Sequence, residues 1–185
     1  LEQDEVYVFT PEGDVVSLPV GATPVDFAYA IHTDVGHRCV GARVDGRLVP
    51  LETRLNSGQT ITVVTSQQAG AAPSQEWLGF VASHRATNKI RHWYSKERRA
   101  EAIETGHDDL VRELRRVSLP VKEILDGNAL AGVAASMNYG DLDALYAAIG
   151  EDNISAQSLV GRVEKVLDEQ APDRQPPRPS TIVQP

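Results

Sequence analysis

The segment Ile31–Arg38, which reads IHTDVGHR, carries the side chains of this chain best suited to binding a ligand. The imidazole of His37 can stack on an unpaired base or hydrogen-bond to its edge, and single-stranded RNA ends expose both features. Arg38 can pair with a phosphate group, and Gly36 lets another backbone approach closely. The alternative is that His37 and Arg38 are ordinary polar residues of a loop. Arg43, on the strand that follows, either reaches RNA or is solvated on the sheet surface.

A second group of basic residues lies in residues 84–99, which hold six Lys or Arg against one acidic residue. Four of the basic side chains follow spacings of four, three and four and therefore share one face of a predicted helix, namely Arg85, Lys89, His92 and Lys96. The possible contacts with RNA phosphates are Arg85, Lys89, Arg91 and Lys96. The alternative is a solvated face, opposite an apolar stripe formed by Ala86, Ile90, Trp93 and Tyr94.

Neither catalysis nor metal binding is predicted from the remaining polar residues. The pair His107-Asp108 is found in metal phosphohydrolases, but such sites need further His and Asp ligands from other helices. Here the surrounding residues, Thr105–Asp109, predict a helix start or a break between helices. Cys39 is the single cysteine, so it has no partner for a disulfide or a zinc site and is expected to be buried. No Ser/His/Asp arrangement, P-loop or dinucleotide loop is present, so we expect no catalytic residue, metal or cofactor.

Turn residues and alternating apolar residues predict the elements that hold the Ile31–Arg38 loop. Two strands, Val6–Thr10 and Val15–Leu18, precede a helix. Thr23 is the predicted N-cap of that helix, Pro24 suits its first position, and Asp26 completes a T-x-x-D capping pattern. His32 is expected to end this helix and to act in capping or loop packing.

Three further strands are predicted after the loop. They are Cys39–Val44, Arg47–Val49 and Thr60–Val64, with Asp45-Gly46 as the two-residue turn of a hairpin. The order ββαβββ in a segment this short is that of a ubiquitin-like β-grasp fold. A core of this size is marginal on its own, which favours docking onto the rest of the chain.

The predicted fold class is α+β, with the β-grasp domain followed by an all-α helical domain. The domains are expected at residues 5–66 and 75–168, with a linker of small residues at 67–74 and a disordered Pro-rich tail at 169–185. Beyond the basic helix, further helices are predicted at about 97–116, 121–136, 141–149 and 155–168. Gly127-Asn128 is among the expected separators.

The charge distribution excludes a general nucleic-acid binder. The formal net charge of the 185 residues is −8. Residues 1–66 carry four Lys or Arg against nine Asp or Glu, and residues 117–170 carry three against nine. A broadly RNA-binding protein would be basic over a whole face, so any contact here must be local. No membrane span or signal peptide is expected, and the single cysteine favours a reducing cytoplasm.

With these elements in place, residues 6–65 resemble a TGS domain. The stretch VFTPEGDVVSLPVGATPVDFAYAIHTDVGHRC is similar to the TGS signature of the long stringent-response (p)ppGpp synthetase/hydrolases of the Rel/SpoT type. The segment SHRATNKIRHW, residues 83–93, looks like the start of the helical domain that follows in that family. The resemblance covers about residues 5–168, and because the chain begins at Leu1 we expect it to be a piece of a longer protein.

The resemblance implies a function in sensing. In this family the TGS domain is expected to hold the 3′ CCA end of uncharged tRNA on the stalled ribosome, with the histidine of the GHR motif as a central contact. That histidine corresponds to His37. The implied partners are therefore the uncharged tRNA 3′ end, the ribosome and the catalytic domains of the same parent chain, with no membrane. The catalytic domains that make or degrade guanosine tetraphosphate are expected outside this segment, which would not itself be an enzyme.

A second interpretation belongs to another functional class. The chain could act as a protein-interaction module, either for autoinhibition of its own catalytic domains or for a partner such as acyl carrier protein. The acidic surface of residues 1–66 counts mildly against an acidic partner. A comparison of uncharged tRNA, aminoacylated tRNA and the separated catalytic half as ligands would distinguish the two interpretations.

Overall fold

The computed structural model describes residues 4–171 and divides the chain into two compact units, Leu1–Lys96 and Glu97–Pro185. Within residues 4–171, the first unit contains the five strands, two short α-helices and a 3-10 helix at Gln75–Gly79, and the second is helical. A 33-residue helix, α3 at His84–Arg116, contributes residues to both units. The predicted order of a strand-rich region and then an all-α region is confirmed.

The strands of the first unit form a β-grasp sheet. They are β1 Glu5–Phe9, β2 Val15–Pro19, β3 Cys39–Val44, β4 Arg47–Val49 and β5 Ile61–Thr65. β1 pairs antiparallel with β2, and β3 pairs antiparallel with both β4 and β5. A parallel bridge between Phe9 and Thr60 joins the two parts, giving the order β2-β1-β5-β3-β4. The predicted two-residue turn at Asp45-Gly46 connects β3 to β4.

Helix α1, Pro24–Ile31, covers one face of this sheet. Its Phe27 side chain is buried with residues from four strands and two loops, in a cluster of Val8, Leu18, Ala22, Phe27, Val44, Leu55 and Ile61. The opposite side of α1 is buried as well, in a second cluster of Val25, Ala28, Tyr29, Cys39, Trp77, Ala86 and Ile90. The β-grasp core therefore continues into the start of α3, which supplies the additional burial that so small a core needs.

Polar contacts fasten the connection between β5 and α3 to the β-grasp. The carboxylate of Asp26, 1% exposed, accepts hydrogen bonds from the backbone N–H groups of Ala82 (3.1 Å) and Ser83 (2.8 Å). The same carboxylate accepts from the backbone N–H of Thr23 at 2.8 Å, as the capping pattern predicts. The hydroxyl of Tyr94 on α3 donates to the carbonyl of Pro73. Residues 67–83 are thus held at several points along their length.

The segment between α1 and β3 is not an irregular loop as expected. Residues Thr33–His37 form a short helix, α2. His32 ends α1, as predicted, but its side chain caps α2, because its Nδ1 accepts a hydrogen bond from the backbone N–H of Asp34 at 3.0 Å. Five residues are too few for an apolar period to show, so the pattern of the sequence could not reveal this helix.

The helical unit contains the rest of α3 and four more helices. They are α4 Val121–Asp126, α5 Asn128–Ser136, α6 Leu142–Gly150 and α7 Ala156–Gln170. Their core includes Leu110, Leu114, Leu130, Leu145, Leu159 and Val163, all completely buried. α4 and α5 are separated at Gly127, the expected position of a break.

The predicted break at Thr105–Asp109 is wrong, since α3 runs through it without interruption. The backbone of α6 lies directly against Gly106, which leaves no room for a side chain at this position. A Cβ atom on Gly106 would lie 1.7 Å from the carbonyl oxygen of Tyr146, and one on Gly150 would lie 1.9 Å from that of Ala102. Both glycines lie at a close crossing of α3 and α6, and Gly106 does not mark a helix end.

The predicted disordered tail, 169–185, lies outside the described residues except for its first three positions, of which Glu169 and Gln170 belong to α7. None of the helices within residues 4–171 combines the length and the apolar character that a membrane crossing requires.

Candidate nucleic-acid interface

His37 is the last residue of α2 and is held by the buried ring of Tyr29 on α1. The Tyr29 hydroxyl lies 2.9 Å from His37 Nδ1, and the two rings meet edge to face with centroids 5.4 Å apart. Tyr29 is 1% exposed, whereas His37 is half-buried. The position of the imidazole is therefore set by a buried neighbour, while part of the ring remains exposed.

Gly36 allows this contact. It is buried, and a Cβ atom at this position would lie 2.2 Å from Cδ1 of Tyr29 and 2.4 Å from two further ring atoms. Real Cβ atoms do not approach so closely, so any larger residue must displace either the ring or α2. The close approach expected for Gly36 is thus observed, but its neighbour is an aromatic ring of the same chain.

The electrostatic surroundings keep His37 neutral. Burial lowers the pKa of His37 below its ordinary value of 6.5, and the neighbouring Lys89 and His92 lower that pKa further, while Asp34 opposes the shift. Burial also raises the pKa of the Tyr29 phenol well above its ordinary range. At neutral pH the pair is therefore a neutral phenol against a neutral imidazole.

The first turns of α3 bring basic groups to the side of His37. Arg85, Asn88, Lys89 and His92 line one open hollow, which we call the α3 hollow. The Arg85 guanidinium lies 3.5 Å from the carbonyl oxygen of Ala30 at the end of α1, so the hollow adjoins the α1–α2 corner. Lys89 and His92 are exposed. His37 does not line the hollow, but Lys89 and His92 are close enough to it to lower its pKa.

Arg38 is engaged within the fold. Its guanidinium donates to the backbone carbonyls of Ser66 (3.3 Å) and Gln68 (3.1 Å), which hold the start of the connection after β5. The side chain is half-buried. This arrangement favours a structural role for Arg38 over the phosphate contact that the sequence suggested.

Three other predicted residues are not brought to His37. Arg43 lies on the outer face of the sheet, because its neighbours Ala42 and Val44 face the core, and it bonds to the Gly46 carbonyl at 3.4 Å. Arg91 follows Lys89 by two residues on a continuous helix, which turns its side chain away by about 160°. Lys96 is on the same helix face as Lys89 but does not line the α3 hollow.

Two residues that sequence reasoning did not assign to the site belong to it. Asn88 follows Arg85 by three positions, so helical spacing would have placed it on the same face. Tyr29 offered no comparable signal, since its contact with His37 depends on how the chain turns between α1 and α2.

The other polar residues considered above take structural positions. Cys39 is buried, and burial raises the pKa of its thiol to about 11. The His107 ring packs edge to face on Tyr146, with its Nδ1 3.4 Å from the Asp108 carboxylate. Within residues 4–171 no three His, Cys, Asp or Glu side chains are grouped so as to hold a metal ion.

Comparison with known proteins agrees with this architecture. The family model of the TGS domain matches residues 6–65, which run from the second residue of β1 to the end of β5 and include α1 and α2. The family model of the RelA/SpoT AH domain matches residues 93–164, which run from the middle of α3 into α7.

Three relatives illustrate the similarity. A GTP pyrophosphokinase of Streptomyces coelicolor is 59% identical over 167 residues, which cover 90% of this chain and 20% of the relative. The bifunctional (p)ppGpp synthase/hydrolase RelA of Mycobacterium tuberculosis is 49% identical over 190 residues, covering 97% of this chain and 26% of the relative. A GTP pyrophosphokinase of Escherichia coli is 40% identical over 176 residues, covering 93% and 23%. The chain spans about a fifth to a quarter of the length of these curated relatives.

Proposed function

Because the chain belongs to the RelA/SpoT family and is a regulatory TGS–AH region, we propose that it recognises the 3′ CCA end of uncharged tRNA on the stalled ribosome. It passes that signal to the catalytic domains of a parent GTP pyrophosphokinase in the stringent response. Through those domains it controls guanosine tetraphosphate metabolism in the cytoplasm. The region itself performs no chemistry and controls the domains that do.

The observation that carries this proposal is the placement of His37. It is a neutral, half-buried imidazole fixed by Tyr29 beside the cations of the α3 hollow. An unpaired RNA end presents bases for stacking or edge recognition and phosphates for cations at the same time. His37 supplies the first kind of contact, and Lys89 and Arg85 supply the second. The rest of the first unit is acidic, which restricts RNA to this one location.

The proposal is tested with the 185-residue chain and two tRNA samples, one ending in a free CCA-OH and one aminoacylated. Binding is measured by fluorescence anisotropy at several salt concentrations. We expect His37→Glu to weaken binding of uncharged tRNA more than ten-fold, because a carboxylate repels phosphate and cannot stack. The preference for uncharged over aminoacylated tRNA should disappear with it.

Lys89 and Arg91 provide a matched pair, since both are exposed cations on the same helix but on opposite sides. Lys89→Ala should reduce the slope of log K against log salt by about 0.7, the value for one phosphate contact on a single strand. Arg91→Ala should leave that slope nearly unchanged. Equal slopes for both variants, or unchanged binding by His37→Glu, would contradict the proposal.

A second candidate function, protein docking, is favoured by the outer face of the sheet. Leu48 is 68% exposed and Val64 is 40% exposed, and they flank Gly41, where a Cβ would lie 3.9 Å from Leu48 and 3.7 Å from Val64. Arg43 lies beside them in the register, opposite Leu48. An apolar patch with one cation suits a catalytic domain of the parent chain or an acidic partner such as acyl carrier protein. Leu48→Asp should abolish such docking and leave tRNA binding unchanged.

A further inference from the structure

The hydrogen bond between Tyr29 and His37 has two possible directions, and they present different groups to a ligand. If the phenol donates to Nδ1, the proton of the imidazole is on Nε2. If instead Nδ1 carries the proton and donates to the phenol oxygen, Nε2 is an acceptor. The 2.9 Å separation of the two atoms fits either direction. The burial of Tyr29 distinguishes them.

Tyr29 is almost completely inaccessible to solvent, at 1% exposure. Within residues 4–171 the recorded partner of its hydroxyl is His37 Nδ1. If Nδ1 donated the hydrogen bond, the phenol proton would have to point into the core without an acceptor, and a buried donor without a partner is unfavourable. If the phenol donates, both groups are satisfied. The phenol remains protonated at neutral pH because burial raises its pKa.

We propose that Tyr29 is a positioning residue that holds His37 as the Nε2–H tautomer, so that the site offers a hydrogen-bond donor and selects an acceptor atom on the RNA end. Such acceptors are the ring nitrogens and carbonyl oxygens of a base edge and the oxygens of ribose and phosphate. This inference rests on the proposed function for the identity of the ligand. The tautomer itself is a property of the free protein.

The groups around the imidazole support a single protonation state. Tyr29 faces it from α1, Asp34 from its own helix, and Lys89 and His92 from α3. Lys89 and His92 oppose a second proton on the ring, while Asp34 favours it. Nε2 has no hydrogen bond among the described residues and is therefore free to donate to a ligand.

The first measurement is made on the free 185-residue chain. Ring ¹⁵N chemical shifts of His37 at neutral pH distinguish the two tautomers, with assignment from the His37→Gln spectrum. We expect a single Nε2–H form in the wild type. In Tyr29→Phe the ring packing against Gly36 is retained but the donor is lost, so a mixture of tautomers and a higher His37 pKa are expected. A wild-type His37 that is mixed or protonated on Nδ1 would overturn the inference.

The second measurement is binding of an RNA hairpin that ends in single-stranded CCA-OH. Tyr29→Phe should weaken binding about five-fold, the effect of one hydrogen bond, and shift the part of the pH dependence of binding that comes from His37 to higher pH. Tyr94→Phe is the matched control, because it also removes one partly buried phenol hydrogen bond, to the Pro73 carbonyl, within the same unit. It should change neither the His37 spectrum nor the binding.

The two measurements separate the inference from the proposed function. If the wild type binds neither the hairpin nor uncharged tRNA, the proposed function fails. The ¹⁵N spectra of the free chain still decide which tautomer His37 adopts. If Tyr29→Phe weakens binding no more than Tyr94→Phe does, Tyr29 has only a structural role and the inference fails.

Discussion

Each of the two units of this protein is stabilised internally by a different kind of interaction. In the first, buried polar groups fix the positions of segments, as Asp26 does for the start of α3 and Tyr29 does for His37. In the second, an apolar core and a close helix crossing at Gly106 and Gly150 provide the stability. Hydrogen bonds fix direction as well as distance, whereas apolar packing is non-directional. The oriented groups, and the candidate interface with them, lie in the first unit.

The largest effect is expected at the helix crossing of the second unit. Gly106→Ala places a Cβ 1.7 Å from the Tyr146 carbonyl oxygen, so α3 and α6 must separate. We expect a loss of more than about 3 kcal/mol in the free energy of unfolding, measured by urea denaturation with circular dichroism. Gly132→Ala on α5 is the control, since nothing lies within 4 Å of its Cβ. It should be stabilising by roughly 0.5–1 kcal/mol because alanine is the better helix former.

A smaller effect is expected at the polar contacts of the first unit. Asp26→Asn keeps the shape of the side chain but turns an amide group toward backbone N–H donors. We expect the free energy of unfolding to fall by about 2–3 kcal/mol, followed by tryptophan fluorescence, because Trp77 is buried in the neighbouring cluster.

An Asp→Asn substitution in the second unit, at Asp141, serves as the control for Asp26→Asn. Asp141 caps α6 by accepting from the Ala144 N–H at 2.7 Å, and asparagine is an equally good cap. Asp141→Asn should therefore change stability little. If Asp26→Asn and Asp141→Asn lower the free energy of unfolding by similar amounts, buried polar contacts are not more important in the first unit than in the second.

The smallest effect is the pH dependence contributed by His37. Its pKa is lowered in the folded state, so between the folded pKa and the ordinary value of 6.5 the unfolded chain binds more protons. His37 therefore contributes stability that is complete above pH 6.5 and is lost as the pH falls through the folded pKa. The measurement compares urea denaturation of the wild type and His37→Gln at about pH 7.5 and about pH 5. If the free energy of unfolding changes equally with pH in both proteins, the pH dependence comes from groups other than His37.

The strands and most helices were predictable because their signals are local. Alternation and the Asp45-Gly46 turn predicted the hairpin of β3 and β4, and the capping residues predicted α1. Gly106 misled the prediction for α3, since a glycine that accommodates a neighbouring helix resembles one that ends a helix. The assignment of the GHR motif to RNA binding stays a prediction. In the structure its three residues have different contacts: Gly36 lies against the Tyr29 ring, His37 is hydrogen-bonded to the Tyr29 hydroxyl, and Arg38 donates to a backbone carbonyl.

The sequence by itself determined the β-grasp order, the helical character of the second half and the concentration of positive charge on one helix. These follow from residue types at short spacings, which act within a few residues of the backbone. Only the tertiary structure decided which of the polar residues share a surface. Tyr29 reaches His37 and Asp26 reaches Ser83 because the chain turns between their elements. Such contacts depend on packing across the whole unit, which no local pattern encodes.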